Sequence, residues 1–566
     1  MPLARASVVR QPQRVPTLCA AFQETRARDP DAVALRDSDG TTVLSWAQAG
    51  SEVERIAGAL AALGVGHGDT VALLLANRPE FNLIDTAAMH LAAVPWSIYA
   101  TSSPEQIRHL IDRAGSRVAV TEGGFAPRLH EALDGSAVEH VLGIEQLAQW
   151  PAAPAGFDFD GAWRAVRGDD VLTIIWTSGT TGEPKGVELT HDGMLATLRA
   201  VEDVAGLREF PGRAVSYLPA AHVADRWAAH YWWMMRGTEL TCIAEMAQML
   251  PTLPRVRPTF WGSVPRVFEK LQAALEAQGI TAPAGLPDAA KEQIRARLGL
   301  DAAEFLVVGA APLAVETHDF FTGLGLPLCE VWGMSETCGL LTVNPSAARR
   351  VGTVGLPLPG VELRIEEEPV GGHEGPIAGE ILARGPMLMR GYRGDPERTA
   401  ETLDADGWLH TGDIAEIDED GYVRIVDRKK ELIINAAGKN MSPLAIEAAL
   451  KTAGPLIGQA CVIGDRRPYN VALLLLDPDA ARAWSQANGR DGASYGELSR
   501  DAQLREAVAS EVAAANDRLS RVEQIKRWTL MEEDWVPDGE ELTPTMKLKR
   551  RAIFAKHEPA IKALYT

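Results

Sequence analysis

The chain has 566 residues, 46% of them hydrophobic, with 76 Asp and Glu against 56 Lys and Arg for a formal net charge of −20. That length is too great for one apolar core, so two or more domains are expected, and the acidity argues against a nucleic-acid partner. An anionic substrate must then be met by local donors, because the field of the whole protein repels it.

Five cysteines (Cys19, Cys242, Cys329, Cys338 and Cys461) form no CxxC pair. They suit a reducing compartment and offer neither a zinc site nor a disulfide framework. Met1–Pro16 holds no apolar stretch of signal-peptide length, and no run approaches the ~18 apolar residues of a spanning helix. A soluble cytoplasmic protein is expected.

Along the chain, short apolar strands alternate with helical patterns, which favours an α/β fold. The patterns predict a helix over Ser51–Leu63, a strand over Thr70–Leu75 and another over Val171–Trp176. Helices follow over Asp192–Val204 and Pro265–Gln278, then a strand over Phe305–Gly309. After about residue 350 the texture changes to short β-like runs separated by glycine: Val361–Ile365, Gly379–Ala383 and Tyr422–Val426. The charged Asp427–Lys430 then precedes apolar Leu432–Ile434, and a boundary is expected near Asp427. Beyond it, Ser442-Pro443 has the form of a helix start, and strands are predicted over Ala460–Ile463 and Val471–Leu476.

The most informative stretch is Thr177-Ser178-Gly179-Thr180-Thr181-Gly182-Glu183-Pro184-Lys185-Gly186. A generic Ser/Thr/Gly segment is usually a surface loop. Ten such positions directly after a buried strand instead favour a phosphate cradle, in which glycines bring N–H groups close and the hydroxyls and Lys185 add donors. The Walker A pattern is absent.

This decapeptide closely resembles the signature loop of the adenylate-forming superfamily, which includes acyl-CoA synthetases, luciferases and the adenylation domains of peptide synthetases. Five further blocks resemble that family in its own order. Ser216–His222 is similar to the segment carrying its acyl-site histidine, and Gly309-Ala310-Ala311-Pro312-Leu313 to its adenine turn. Trp332-Gly333-Met334-Ser335-Glu336-Thr337 is similar to its nucleotide and magnesium motif. Thr411-Gly412-Asp413 with Asp427-Arg428-Lys429-Lys430 resembles the ribose motifs and hinge, and Leu542–Arg550 the motif of the catalytic lysine.

The resemblance implies a large N-terminal AMP-binding domain of layered sheets and helices over 1–426, a hinge at 427–430, and a small mobile α+β domain over 431–566. It also implies two half-reactions. A carboxylate attacks the α-phosphate of ATP to give an acyl-adenylate and pyrophosphate; a thiol then attacks the acyl carbon and expels AMP. A fatty carboxylate is already ionised at neutral pH, so the first step needs no general base. The obstacle is two anions approaching in line, and the remedy is placed cations in a water-poor site.

On this resemblance Lys547 is the central cation, although a basic run with Lys549 and Arg550 would alone read as a solvated tail. Glu336, with Thr181, is the expected magnesium-ligand set, a carboxylate being what Mg2+ takes beside phosphate oxygens. Ser335 and Thr337 flank it, Ser335 donating to the α-phosphate. Asp413 and Arg428 are the expected ribose contacts, Lys430 or Asp427 the hinge, and His222 the residue between acyl and nucleotide sites. Gly438 and Lys439 would serve the second half-reaction. The family usually has tyrosine where this chain has Trp332, which offers a flat ring to adenine without the hydroxyl.

Ser263–Leu271, Leu298-Gly299-Leu300 and Ile433–Pro443 resemble the long-chain branch, so the expected activity is a fatty-acid–CoA ligase using ATP, Mg2+ and coenzyme A. Loading of a separate carrier protein, and a medium-chain or aryl acid substrate, are the alternatives; a regulator that has lost catalysis is the reading from another class. The crowded aromatics of Trp227–Met235 are either core, as such stripes usually are, or the wall of an acyl tunnel with Trp227 at its gate. The sequence leaves room for peripheral membrane contact and for a homodimer.

Overall fold

The computed structural model describes residues 15–177, 183–207, 211–345, 348–367, 378–434, 440–536, 539–543 and 546–566. It is a layered α/β protein. One four-stranded sheet is wholly parallel, in the order Val94–Ser97, Thr70–Leu74, Val118–Thr121 and His140–Gly143. Its central strand is buried along its whole length, which is why Thr70–Leu74 reads as an unbroken apolar run without alternation. The strand Val171–Thr177 pairs antiparallel with Lys185–Thr190, so the glycine-rich stretch joins two neighbouring strands. A third sheet runs Phe260–Ser263, Phe305–Val308 and Leu328–Trp332 in parallel before two short antiparallel strands.

The predicted helix over Ser51–Leu63 begins earlier, at Trp46. Ser45 and Gln48 form a reciprocal capping box there, and this local polar signature moves the start ahead of the apolar pattern. The helices at His191–Ala205 and Pro265–Glu276 fall where the periodicity puts them.

Past residue 350 four antiparallel strands form one sheet: Glu362–Glu367, Gly379–Arg384, Leu409–Ile417 and Val423–Arg428. The last two put Asp413 and Arg428 in register opposite one another. Then Ser442 caps the helix Pro443–Lys451, with proline at its first position as expected. This helix and Ala502–Arg518 cover a sheet of Ile457–Ile463, Asn470–Leu476 and Ile525–Leu530. The third of these strands was not predicted. Its Lys526 and Arg527 face solvent and break the apolar run.

The apolar cores segregate along the chain. Three clusters draw on residues from Val15 to Val423, and two on residues from Ile433 to Ile561. Contacts cross between these groups near Asp427, which is buried. Its Oδ1 accepts from the Arg428 amide at 2.6 Å, and its Oδ2 accepts from Leu444 N at 3.2 Å and from the Ser442 hydroxyl. Farther out, Lys270 reaches Asp479 at 2.9 Å and Arg266 pairs with Asp477. Among the described residues no helix is long and apolar enough to cross a membrane.

Candidate active site

Between the two groups of cores lies a cleft of about 3420 Å³. A single small ligand fills roughly 300–1,000 Å³, so this space suits several substrate moieties together. Its walls bring together His222, Gly309–Pro312, Trp332, Gly333, Ser335, Glu336, Asp413, Arg428, Lys430 and Lys547, with Thr177 and Lys185 from the strands beside the glycine-rich loop. Ser178, Gly179, Thr180, Thr181 and Gly182 lie outside the described residues, as do Gly438 and Lys439.

At one end two side chains converge on Asp413, which is buried. Trp332 Nε1 donates to its Oδ2 at 2.8 Å, and Arg428 Nε meets its Oδ1 at 2.6 Å. Burial raises the Asp413 carboxyl above the usual range, against the pull of Arg428, the Trp332 N–H and Lys547. The preceding Gly412 has φ +70°, open to glycine and strained for other residues, and its amide donates to Glu380 Oε1 at 2.9 Å. Glu380 Oε2 also takes Lys429 Nζ at 2.9 Å, so one carboxylate braces both Gly412, within the strand Leu409–Ile417, and the residue after Arg428. The turn Gly309–Pro312 opens into the cleft with Ala310 at φ +68°, a left-handed conformation that costs a non-glycine residue roughly 1–2 kcal/mol.

Glu336 is also buried, and its Oε1 accepts from the Tyr392 hydroxyl at 2.8 Å. Lys185 Nζ sits 4.7 Å from the centroid of that tyrosine ring. Burial lowers the Lys185 ammonium, while the Glu336 charge holds it up. Tyr392 was missed in the sequence. It stands 56 positions from Glu336 and reaches it because Gly391-Tyr392 pairs with the strand after the glycine-rich loop. A carboxylate so placed suits Mg2+, which completes its shell with phosphate oxygens and water.

Thr337 turns inward. It is fully buried, and its hydroxyl donates to Met334 O at 3.0 Å and accepts from Met334 N at 3.1 Å. The structure therefore makes it the internal brace of the Ser335–Thr337 turn, where a nucleotide contact was expected.

Lys547 stands on a tight hairpin closed by the bridge between Leu542 and Leu548, with its amide donating to Thr543 Oγ1 at 3.0 Å. Its exposed side chain enters the cleft. The cleft walls, then the Arg428 charge, lower its ammonium from the usual lysine value, while Asp413, Glu336 and Glu431 act to raise it. His222 caps a short turn, Nδ1 accepting from Ala224 N at 3.1 Å. Burial and the Lys547 charge push it down to about 4, so it is neutral at physiological pH.

The aromatic run divides. Trp232 and Trp233 are core residues, Trp233 stacking on Trp46 at 4.9 Å. Trp227 lines the cleft and packs on Gly339, where a Cβ would come within 2.6 Å of the indole. The segment therefore contributes Trp227 to the cleft wall and Trp232 and Trp233 to the core.

Comparison with known proteins agrees with this architecture. Residues 22–393 match the AMP-binding enzyme family and residues 430–566 the AMP-binding enzyme C-terminal domain. The chain is 44% identical over 461 residues to FadD11 of Mycobacterium tuberculosis, which carries the name of a fatty-acid–CoA ligase; that alignment covers 75% of this chain and 79% of FadD11. It is 33% identical over 600 residues to the long-chain-fatty-acid–CoA ligase FadD15 of Mycobacterium bovis, covering 97% of each. Among solved structures, O-succinylbenzoate coenzyme A synthetase of Bacillus subtilis with AMP superposes with a TM-score of 0.74, covering 95% of this chain and 98% of that one at 22% identity. That last likeness speaks to the fold.

Proposed function

The chain belongs to the AMP-binding enzyme family and is an acid–thiol ligase, and from that premise we propose that it joins a long-chain fatty acid to coenzyme A through an acyl-adenylate. One observation carries this reading. Lys547 comes from the last hairpin of the chain into the same cleft as Asp413, Arg428, Glu336 and His222, within Coulombic reach of all four.

In this reading Asp413 accepts from the ribose hydroxyls and Arg428 holds its carboxylate in place. Trp332 presents its ring to adenine while its N–H orients Asp413. Glu336 holds Mg2+, which when bound neutralises phosphate charge, and Tyr392 fixes the carboxylate that meets it. Lys547 bridges the fatty carboxylate and the α-phosphate, so that one fixed cation draws two anions into line. Neutral His222 adds no charge where the acyl group passes. The apolar surface of Trp227 and Gly339 receives the chain.

The thiol needs access to the acyl carbon after adenylation, so the segment after Lys430 is proposed to rotate and present Gly438 and Lys439 in place of Lys547. The anchors on either side support a pivot at exposed Lys430. Lys429 pairs with Glu380, and Glu431 with Arg550 at 3.2 Å. On this basis 1–426 and 431–566 are the moving bodies.

The test is purified protein with ATP, Mg2+ and a panel of acetate, octanoate, palmitate and benzoate, with or without coenzyme A, following pyrophosphate and AMP together. AMP release with palmitate that depends on coenzyme A is the expected result. Pyrophosphate release with a retained adenylate would favour a carrier-protein acceptor. A preference for benzoate would favour the aryl alternative.

A further inference from the structure

Beneath the Trp227 wall lies a charged cluster sealed from water. Asp85, Arg226 and His230 are each 0% exposed. Arg226 Nη1 donates to Asp85 Oδ2 at 2.8 Å and to the Tyr231 hydroxyl at 2.8 Å. Its Nη2 donates to Ser97 Oγ at 3.0 Å and its Nε to Ala220 O at 3.0 Å. The ring nitrogens of His230 lie 2.9 Å from Asp85 Oδ1 and 2.8 Å from Asn82 Oδ1.

Stability alone does not account for such a cluster, because apolar groups of similar volume often replace a buried ion pair without loss. Its directionality is what apolar packing lacks. The rigid guanidinium fork ties together the helix Pro79–Met89, the strand Val94–Ser97, the loop at Ala220 and the turn that follows it. That turn, Arg226–Tyr231, is a π-helix. Insertions of this kind concentrate at functional sites, where the wider turn re-aims side chains. Here Trp227 and Ala228 reach the cleft, while Arg226, His230 and Tyr231 are buried. Ala220 stands two residues before His222.

We propose that Arg226 is a positioning residue for the acyl wall: anchored on Asp85, its guanidinium holds the loop of His222 and the turn of Trp227 at a fixed separation, and so sets which acyl chains the cleft accepts. The inference rests on the reading of this cleft as a fatty-acyl site.

The test pairs Arg226→Met with Asp85→Leu, so that neither member of this ion pair is left buried without the other, and compares the double variant with wild type in thermal unfolding and in steady-state kinetics. The expected result is a folded enzyme with unchanged KM for ATP. Its KM for palmitate rises roughly tenfold and its preference between octanoate and palmitate flattens. A folded double variant with wild-type KM and preference overturns the proposal and leaves the cluster a core element only. Should the double variant unfold, Ser97→Ala and Tyr231→Phe each remove one bond to the guanidinium and keep the ion pair. A smaller rise in KM for palmitate supports the proposal, and an unchanged KM in both overturns it. Wild-type enzyme that turns over no fatty acid removes the underlying acyl-site reading, a result visible before any variant is made.

Discussion

Trp332 and Asp413 are joined by a 2.8 Å hydrogen bond from indole N–H to carboxylate. Trp332→Phe keeps a flat ring and leaves that buried oxygen without its donor, at a cost of about 1–3 kcal/mol. The KM for ATP should rise by roughly tenfold while the KM for the acid stays put, as read from pyrophosphate release. An unchanged KM for ATP would mean that Arg428 alone orients the carboxylate.

Lys547→Ala should lower adenylation by at least ~10²-fold, the scale on which a placed transition-state donor acts. Thioester formation from supplied acyl-adenylate should be largely retained. Equal loss of both half-reactions in single-turnover assays would contradict the division of labour between Lys547 and the segment at Gly438.

Tyr392→Phe removes the hydroxyl that fixes Glu336. The Mg2+ concentration for half-maximal rate should increase several-fold, with the saturated rate less affected. A titration of Mg2+ at fixed ATP gives the answer, and an unshifted midpoint would separate Glu336 from the metal.

Gly339 has φ +101°, and an added Cβ would press on Trp227. Gly339→Ala should therefore displace the indole into the acyl space. The KM for palmitate should rise more than the KM for octanoate. Parallel changes for the two acids would argue that Trp227 does not touch the chain.

His90 is buried as the neutral imidazole, its Nδ1 2.7 Å from Thr86 O and its Nε2 3.1 Å from Gln23 Nε2. Burial pushes it down to about 4, below the ~6.5 of an unfolded chain. The folded pKa is depressed, so the unfolded state binds the extra proton first. Stability from this site is complete above ~6.5 and declines as pH falls toward 4, by roughly 3 kcal/mol in all. Urea midpoints for wild type against His90→Gln should converge over that window. A constant gap between the two would count against it.

The sequence was most legible where chemistry demands a residue type at a fixed place. The alternation of strands and helices gave the α/β class, Ser442-Pro443 gave a helix start, and the ordered motifs brought Lys547, Glu336, Asp413 and Arg428 to one cleft. It was least legible where a side chain works through a distant partner. Arg226 meets Asp85 across 141 positions, and nothing in either neighbourhood announces the other. The aromatic run stayed undecided because a π turn carries no period of its own, so cleft and core residues sit side by side. Thr337 shows the converse: a motif position whose hydroxyl the backbone takes for itself.

Asp427 gives the proposed swing a mechanical character. The carboxylate that accepts from the Arg428 amide also accepts from the hydroxyl and amide that begin the helix at Ser442. A rotation of everything beyond Lys430 has to release the Ser442 and Leu444 bonds together, since they share one buried oxygen. On the proposed swing, the arrangement with Lys547 in the cleft is a notched position, left by a discrete click. The dwell time in one half-reaction is then set by the Asp427 bonds together with the Lys270–Asp479 and Arg266–Asp477 pairs.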